Sequence, residues 1–224
     1  DVSSSLSAVV HEKTLGNPFF VIQFLKTLYE EKHLVFDALH GWQWDADVIE
    51  EMQVTDNVVV LMADKISRLP AAPRDLIEVC ACIGNRFDVE TLADTLERSS
   101  EDVLESMDEL IKQGLISYSK DLYRFHHDRI QEAAYSLLDQ EERERIHYRI
   151  GNLGLKKTPP EELFNYIFYI TDQLNKGRRH MVTREERTRL ADLNLKAGIR
   201  AKDSTAYGPA VSYLASGMEL LAED

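Results

Sequence analysis

Three sites in this 224-residue sequence carry residue types able to do chemistry. The first is His126-His127-Asp128. An imidazole, neutral or protonated, donates a hydrogen bond to a phosphate, and a helix starting at this point adds partial positive charge at its N-terminus. Asp128 is the residue type that caps such a helix, and Gln131 stands at capping-box spacing from it. The second is Gly16-Asn17-Pro18, a turn that brings backbone close to a neighbour and leaves a flat apolar ring exposed. The same residues are equally accounted for by one helix stopping at Gly16 and another starting with Asn17 as its cap and Pro18 in its first turn. The third is Cys80 and Cys82, two positions apart in an apolar segment, where they read as buried small hydrophobes in a reducing compartment.

The common catalytic signatures are missing from the sequence. There is no G-x-x-x-x-G-K-[ST] phosphate loop, no G-x-G-x-x-G, no G-x-S-x-G, no H-E-x-x-H and no C-x-x-C. We therefore expect no independent enzymatic activity, no catalytic residues, no metal ligands and no cofactor held by this chain alone.

The elements that would position these groups follow from hydrophobic spacing. Residues 6–14 read as a short helix. Phe19, Ile22, Leu25, Leu28 and Tyr29 then fall on helical spacing, and Leu34-Val35-Phe36 with Trp42-Gln43-Trp44 read as a hairpin around Gly41. Between Thr55 and Phe125 the pattern is four helices and two short strands. The fourth helix is capped at Ser99 or Ser100, carries a stripe of Val103, Leu104, Met107, Leu110 and Ile111 against Leu76 and Val79, and stops at Gly114. Leu115–Ser119 and Leu122–Phe125 pair across Lys120-Asp121, and helices closed by such a hairpin make a winged-helix module. Helices follow over 128–138, 140–155, 163–174, 185–201 and 205–221, with a turn at Lys202-Asp203-Ser204. Ala197, Ala201, Ala206 and Ala210 beside Tyr207, Tyr213 and Leu214 resemble one unit of a tetratricopeptide-type array. The fold class is mainly α.

Composition limits the partners. With 26 Lys plus Arg against 39 Asp plus Glu, the net charge of −13 disfavours nucleic acid. No apolar run approaches the ~18 residues that span a bilayer, and no signal peptide opens the chain, so a cytoplasmic protein without a membrane partner is expected. The start at Asp1 suggests a piece of a longer protein.

Several segments together, in order along nearly the whole chain, resemble the STAND class of AAA+ ATPases, signalling proteins that alternate between a closed ADP form and an open ATP form. They are Gly16-Asn17-Pro18-Phe19-Phe20, Gly41-Trp42-Gln43-Trp44, Lys65-Ile66-Ser67-Arg68-Leu69-Pro70, Cys80 to Phe87, Phe125 to Tyr135 and Asp172 to Gly177. The likeness is to the ATPase region of large bacterial signalling proteins that carry a Ser/Thr kinase domain ahead and GAF and histidine-kinase domains behind. It implies a helical lid over 1–54, a winged-helix domain over 55–138, and a helical connector opening a tetratricopeptide-like arm over 139–224.

By the same resemblance, Gly16, Asn17 and Pro18 would form a sensor turn, with Pro18 against the adenine of an ATP or ADP (with Mg) held by an upstream ATPase domain. His127 would reach the ADP β-phosphate, although His126 replaces the usual apolar residue there. The implied function is a regulatory nucleotide switch and relay to downstream signalling domains of the same chain, with protein partners on the helical arm. Two alternatives stand beside it: an interaction scaffold without nucleotide sensing, and a winged-helix DNA-binding regulator. The last would have to present Glu101, Asp102, Glu105, Asp108 and Glu109 to phosphate on its recognition helix.

Overall fold

A computed structural model describes residues 2–45, 48–49, 58–119 and 122–222. The fold is mainly α, and the chain divides into two compact units, Asp1–Ile66 and Ser67–Asp224. The expected beginning of the winged-helix domain at Thr55 and the turn at Lys120-Asp121 lie outside the described residues.

In the first unit, α1 (Val2–Thr14) and α2 (Pro18–Glu30) are separated by a tight reversal, with Leu15 and Gly16 both at positive φ. A Cβ on Gly16 would come within 3.2 Å of the His11 ring, so close approach and a left-handed backbone both favour glycine there. Phe20, Gln23, Phe24 and Leu28 form the buried face of α2. Strands β1 (Leu34–Asp37) and β2 (Gly41–Trp44) pair antiparallel as the predicted hairpin, with Phe36 opposite Trp42. Helix α3 (Val58–Ser67) buries Val58, Val59, Met62 and Ile66 and falls almost wholly in this unit.

The second unit is built around α4 (Ala71–Ile83), whose Leu76, Ile77 and Val79 to Ile83 are buried. Strand β3 (Arg86–Phe87), α5 (Val89–Leu96), α6 (Ser100–Lys112) and the hairpin β4 (Ile116–Ser119) and β5 (Leu122–Phe125) follow. The sheet has three antiparallel strands in the order β3-β5-β4, one more than the sequence predicted. Two residues are too short a run for an alternation signal. The edge-on packing of Phe87 against Phe125, at 5.4 Å between ring centres, holds β3 in place.

The predicted stripe on α6 is only partly right. Val103, Ser106, Met107 and Leu110 are buried, while Leu104 is 43% and Ile111 38% exposed. At 100° per residue Leu104 and Ile111 share a face rotated away from the Met107–Leu110 line, and a core-facing stripe of this helix is too narrow to include both.

The remainder is α7 (Asp128–Leu137), α8 (Gln140–Lys157), α9 (Leu163–Lys176), a 3₁₀ turn at Arg178–His180, α10 (Arg184–Asp203) and α11 (Tyr207–Ala222). Helix α10 begins with a full capping box, Thr183 with Glu186, and runs past the predicted turn, so the reversal falls at Ser204 to Ala206 with Thr205 at φ +60. Ala197, Ala201 and Ala210 are buried where α10 and α11 pack. Small residues also set the spacing of α8 and α9: a Cβ on Gly177 would sit 2.4 Å from the backbone nitrogen of Tyr148.

Candidate functional site

The residues singled out in the sequence lie in different units, Gly16-Asn17-Pro18 in the first and His127 in the second. Asn17 caps α2, its side-chain oxygen accepting from the Phe20 N–H at 3.1 Å, and Pro18 occupies the first turn. Gly16, Asn17 and Pro18 are all exposed. His126 and His127 are exposed as well.

The cap of α7 is His127 and not Asp128. Its Nδ1 accepts from the Arg129 N–H at 3.1 Å, while Asp128 is already the first helical residue. The predicted capping box fails for the same reason: Gln131 turns inward and donates from Nε2 to the Ala81 carbonyl at 3.2 Å. Histidine takes the role because the extended backbone at position 127 (φ −155, ψ 147) aims Nδ1 back at the first turn. With Nδ1 accepting, the proton of the neutral ring sits on Nε2.

A second histidine, His147 on α8, makes a longer connection. It is 1% exposed. Gln173 of α9 donates from Nε2 to the Cys82 carbonyl on α4 at 3.0 Å, which fixes the amide orientation. Its Oε1 then accepts from His147 Nδ1 at 2.6 Å, and His147 Nε2 lies 3.0 Å from the Tyr135 hydroxyl on α7. The neutral ring therefore carries its proton on Nδ1 and accepts from Tyr135 on Nε2, so both ring nitrogens are satisfied.

Two further polar contacts flank this run. The Arg143 guanidinium lies 5.1 Å from the Tyr135 ring centre and donates from Nε to the Leu138 carbonyl at 2.9 Å. Two residues beyond Gln173, Asn175 exchanges two amide hydrogen bonds with Asn194 of α10, each 2.9 Å. Four helices, α4, α7, α8 and α9, are thus tied by the run from Cys82 through Gln173 and His147 to Tyr135, a kind of network that specifies a single arrangement when all its members are paired.

The electrostatics keep this run uncharged. Burial pushes the His147 pKa below its usual value and outweighs the Gln173 hydrogen bond, with Lys176 and Arg143 lowering it further. Burial likewise pushes the Cys82 thiol up to about 12, with Lys176 and Arg143 opposing. The Cys80 thiol is raised by burial too, so neither cysteine is a poised nucleophile. Glu186 behaves differently: the Tyr148 hydroxyl and the Thr183 backbone hold its carboxyl down to about 2, tying α8 to the start of α10.

Sequence reasoning missed His147, Gln173, Asn175 and Asn194 as a set because each is an ordinary polar residue on an amphipathic helix. The available signal was spacing: His147 lies on the same face as the apolar Ile150 and the small Gly151. Among the described residues there is no cluster of His, Cys, Asp or Glu able to hold a metal ion, and no helix is long and apolar enough to cross a membrane.

Among known proteins, a hybrid signal transduction histidine kinase G of Dictyostelium discoideum is 32% identical to this chain over 271 residues. That alignment takes in 97% of the chain and 8% of the relative, so the chain spans less than a tenth of that protein. No protein-family model matches, and neither does any solved structure. The likeness supports a signalling-protein context for the chain.

Proposed function

We propose that this chain is the regulatory relay of a multidomain STAND-type signalling ATPase, coupling the nucleotide state of an upstream domain to downstream kinase or output domains. The observation that carries the reading is the hydrogen-bonded run Cys82–Gln173–His147–Tyr135. It ties α4 and α7 of the winged-helix module to α8 and α9 of the arm, so a displacement of the module is passed on to the arm. The likeness to a hybrid signal transduction histidine kinase supports the setting.

In this reading Pro18 lies against adenine and His127 reaches the ADP β-phosphate, with ATP or ADP and Mg held by the upstream domain. The ring tautomer set by the Arg129 N–H places a proton on Nε2, the donor such a contact requires. The role is regulatory and cytoplasmic, with domains of the same polypeptide and proteins on the arm as partners. The exposed acids Glu101, Asp102, Glu105 and Asp108 on α6 argue against duplex DNA as a partner.

The test is nucleotide release from the longer protein that contains this chain. Losing a hydrogen bond to a charged phosphate costs about 1.5 to 3 kcal/mol, so His127→Ala should weaken ADP binding roughly 10- to 150-fold while His126→Ala leaves it unchanged. Unchanged ADP affinity in both variants, with the fold retained, would sink the switch assignment. A scaffold without nucleotide sensing would then be the better account.

A further inference from the structure

A cleft opens within the second unit where β3 and α5 face α8 and α9. Its volume is about 350 Å³, at the lower end of small-molecule sites, and its walls come from residues between Ile83 and Tyr169, well inside the chain. The floor is apolar: Phe87 and Ile150 are each 2% exposed, with Leu153 beside them. Tyr166 and Tyr169, one helical turn apart on α9, line one wall with their rings partly in solvent, and a flat ligand can stack against such rings. Burial and the Asp88 charge raise the Tyr169 hydroxyl to about 12 against a Gln173 hydrogen bond, so that hydroxyl stays neutral.

The charges around the cleft decide what it accepts. Lys157 reaches from the end of α8 to Glu90 and Asp94 of α5, so these carboxylates are already paired. Asp88 caps α5, one oxygen accepting from the Thr91 N–H at 2.8 Å and the other from its hydroxyl at 2.9 Å. Arg86 is the exception. It is exposed, lines the cleft, and has no hydrogen bond or ion pair among the described residues. Its neighbour across β3 and β5 is Arg124, also exposed, whose Nε donates to the Ser117 hydroxyl at 3.4 Å. Like charges set directly opposite on paired strands repel, and an anion held by the guanidinium relieves that repulsion.

We propose that this cleft binds a small organic anion, a carboxylate carried on a flat apolar body, with the carboxylate on Arg86 and the body over the apolar floor beside Tyr166 and Tyr169. Because its walls belong to β3 and α5 on one side and to α8 and α9 on the other, an occupant stabilises their present arrangement. The binding stands apart from the nucleotide reading, since it uses none of Gly16, Asn17, Pro18 or His127.

Indole-3-propionate and tryptamine, the same ring on a carboxylate and on an ammonium, test it. Each is titrated into the chain to about 5 mM and followed by amide NMR, since a ligand of this size binds at roughly 0.1 to 1 mM. The propionate should shift the signals around Phe87 and Tyr166 saturably, and tryptamine should not. Arg86→Gln should weaken the propionate by about tenfold or more, the loss of one charge-assisted contact, and Tyr166→Ala should weaken it as well. Both side chains are exposed, so the fold is kept, and Lys112→Gln, a cation lost elsewhere on the surface, should change nothing. Arg86→Glu should reverse the preference and admit tryptamine. No saturable binding, equal binding of the two ring compounds, or binding indifferent to Arg86 would overturn the proposal. So would binding to this chain that is lost in the longer protein, because a segment of protein would then fill the cleft.

Discussion

Two histidines in the second unit sit at opposite extremes of environment. His127 is exposed at the start of α7 and makes a local bond to the Arg129 N–H two residues on. His147 is buried and bonds to Tyr135 and to Gln173, the latter 26 residues away on another helix. Substitution of the first should disturb one helix end, while substitution of the second should disturb the joint between α4, α7, α8 and α9. Local capping chemistry is therefore a poor guide to which histidine organises the fold, and the long-range partners decide it.

The largest effect should come from breaking the buried side of this comparison. His147→Ala leaves the Gln173 carbonyl and the Tyr135 hydroxyl without their partner and opens a void. The combined cost should be about 3 to 5 kcal/mol, read as a shift in the urea midpoint. A loss under about 1 kcal/mol would mean that water replaces the ring and that the run does not couple the helices.

Next in size is Gly177→Ala. The added Cβ would meet Tyr148 backbone at 2.4 Å, and backbone cannot swing aside as a side-chain tip can. Pushing α9 off α8 should cost about 1 to 3 kcal/mol. A neutral result in thermal denaturation would show that the two helices adjust freely.

These two positions also mark what a reader of the sequence could and could not see. Helix-forming periodicity, the aromatic hairpin of the first unit, the Asn17 cap and the burial of Met107 and Leu110 all rest on neighbours within a few residues, and they were legible. The strand at Arg86-Phe87, the exposure of Leu104 and Ile111, and the inward turn of Gln131 depend on what lies across the core. So does the His147 run, whose bonds span 12, 26 and 91 residues. Of the candidate site, the sequence identified residue types at helix starts, and it misassigned the cap between Asp128 and His127 because both can accept from a first-turn N–H.

A smaller effect should separate the exposed histidines. His127→Ala removes a cap and should cost about 1 kcal/mol, whereas His127→Asn, a better capping residue, should restore most of it. His126→Ala should stay within about 0.5 kcal/mol. If Asn fails to rescue, the imidazole at 127 is needed for more than the cap, and the comparison with His147 narrows.

The subtlest effect to isolate is the pH dependence that the buried histidine should confer. Burial lowers the His147 pKa in the folded chain relative to its value of 6.5 when unfolded. Below about pH 6.5 the unfolded chain therefore binds a proton that the folded chain resists, and stability falls as pH falls; above that value the contribution is complete. The groups facing the ring are the Tyr135 hydroxyl, the Gln173 amide, the Cys82 segment, and the cations Arg143 and Lys176, none of which offers a carboxylate to offset a new charge. One proton can contribute at most about 1.4 kcal/mol per pH unit. Glu78 works in the opposite sense over an overlapping range, since burial raises its carboxyl from 4.5 to about 6 and stability from that source is lost as pH rises between those values. Comparing the chain with His147→Gln in urea between pH 5 and 7.5 separates the two, because the substitution removes the histidine slope and leaves the glutamate one. An unaltered slope would mean that the acid sensitivity arises elsewhere and that His147 is no more tightly held than its exposed counterpart.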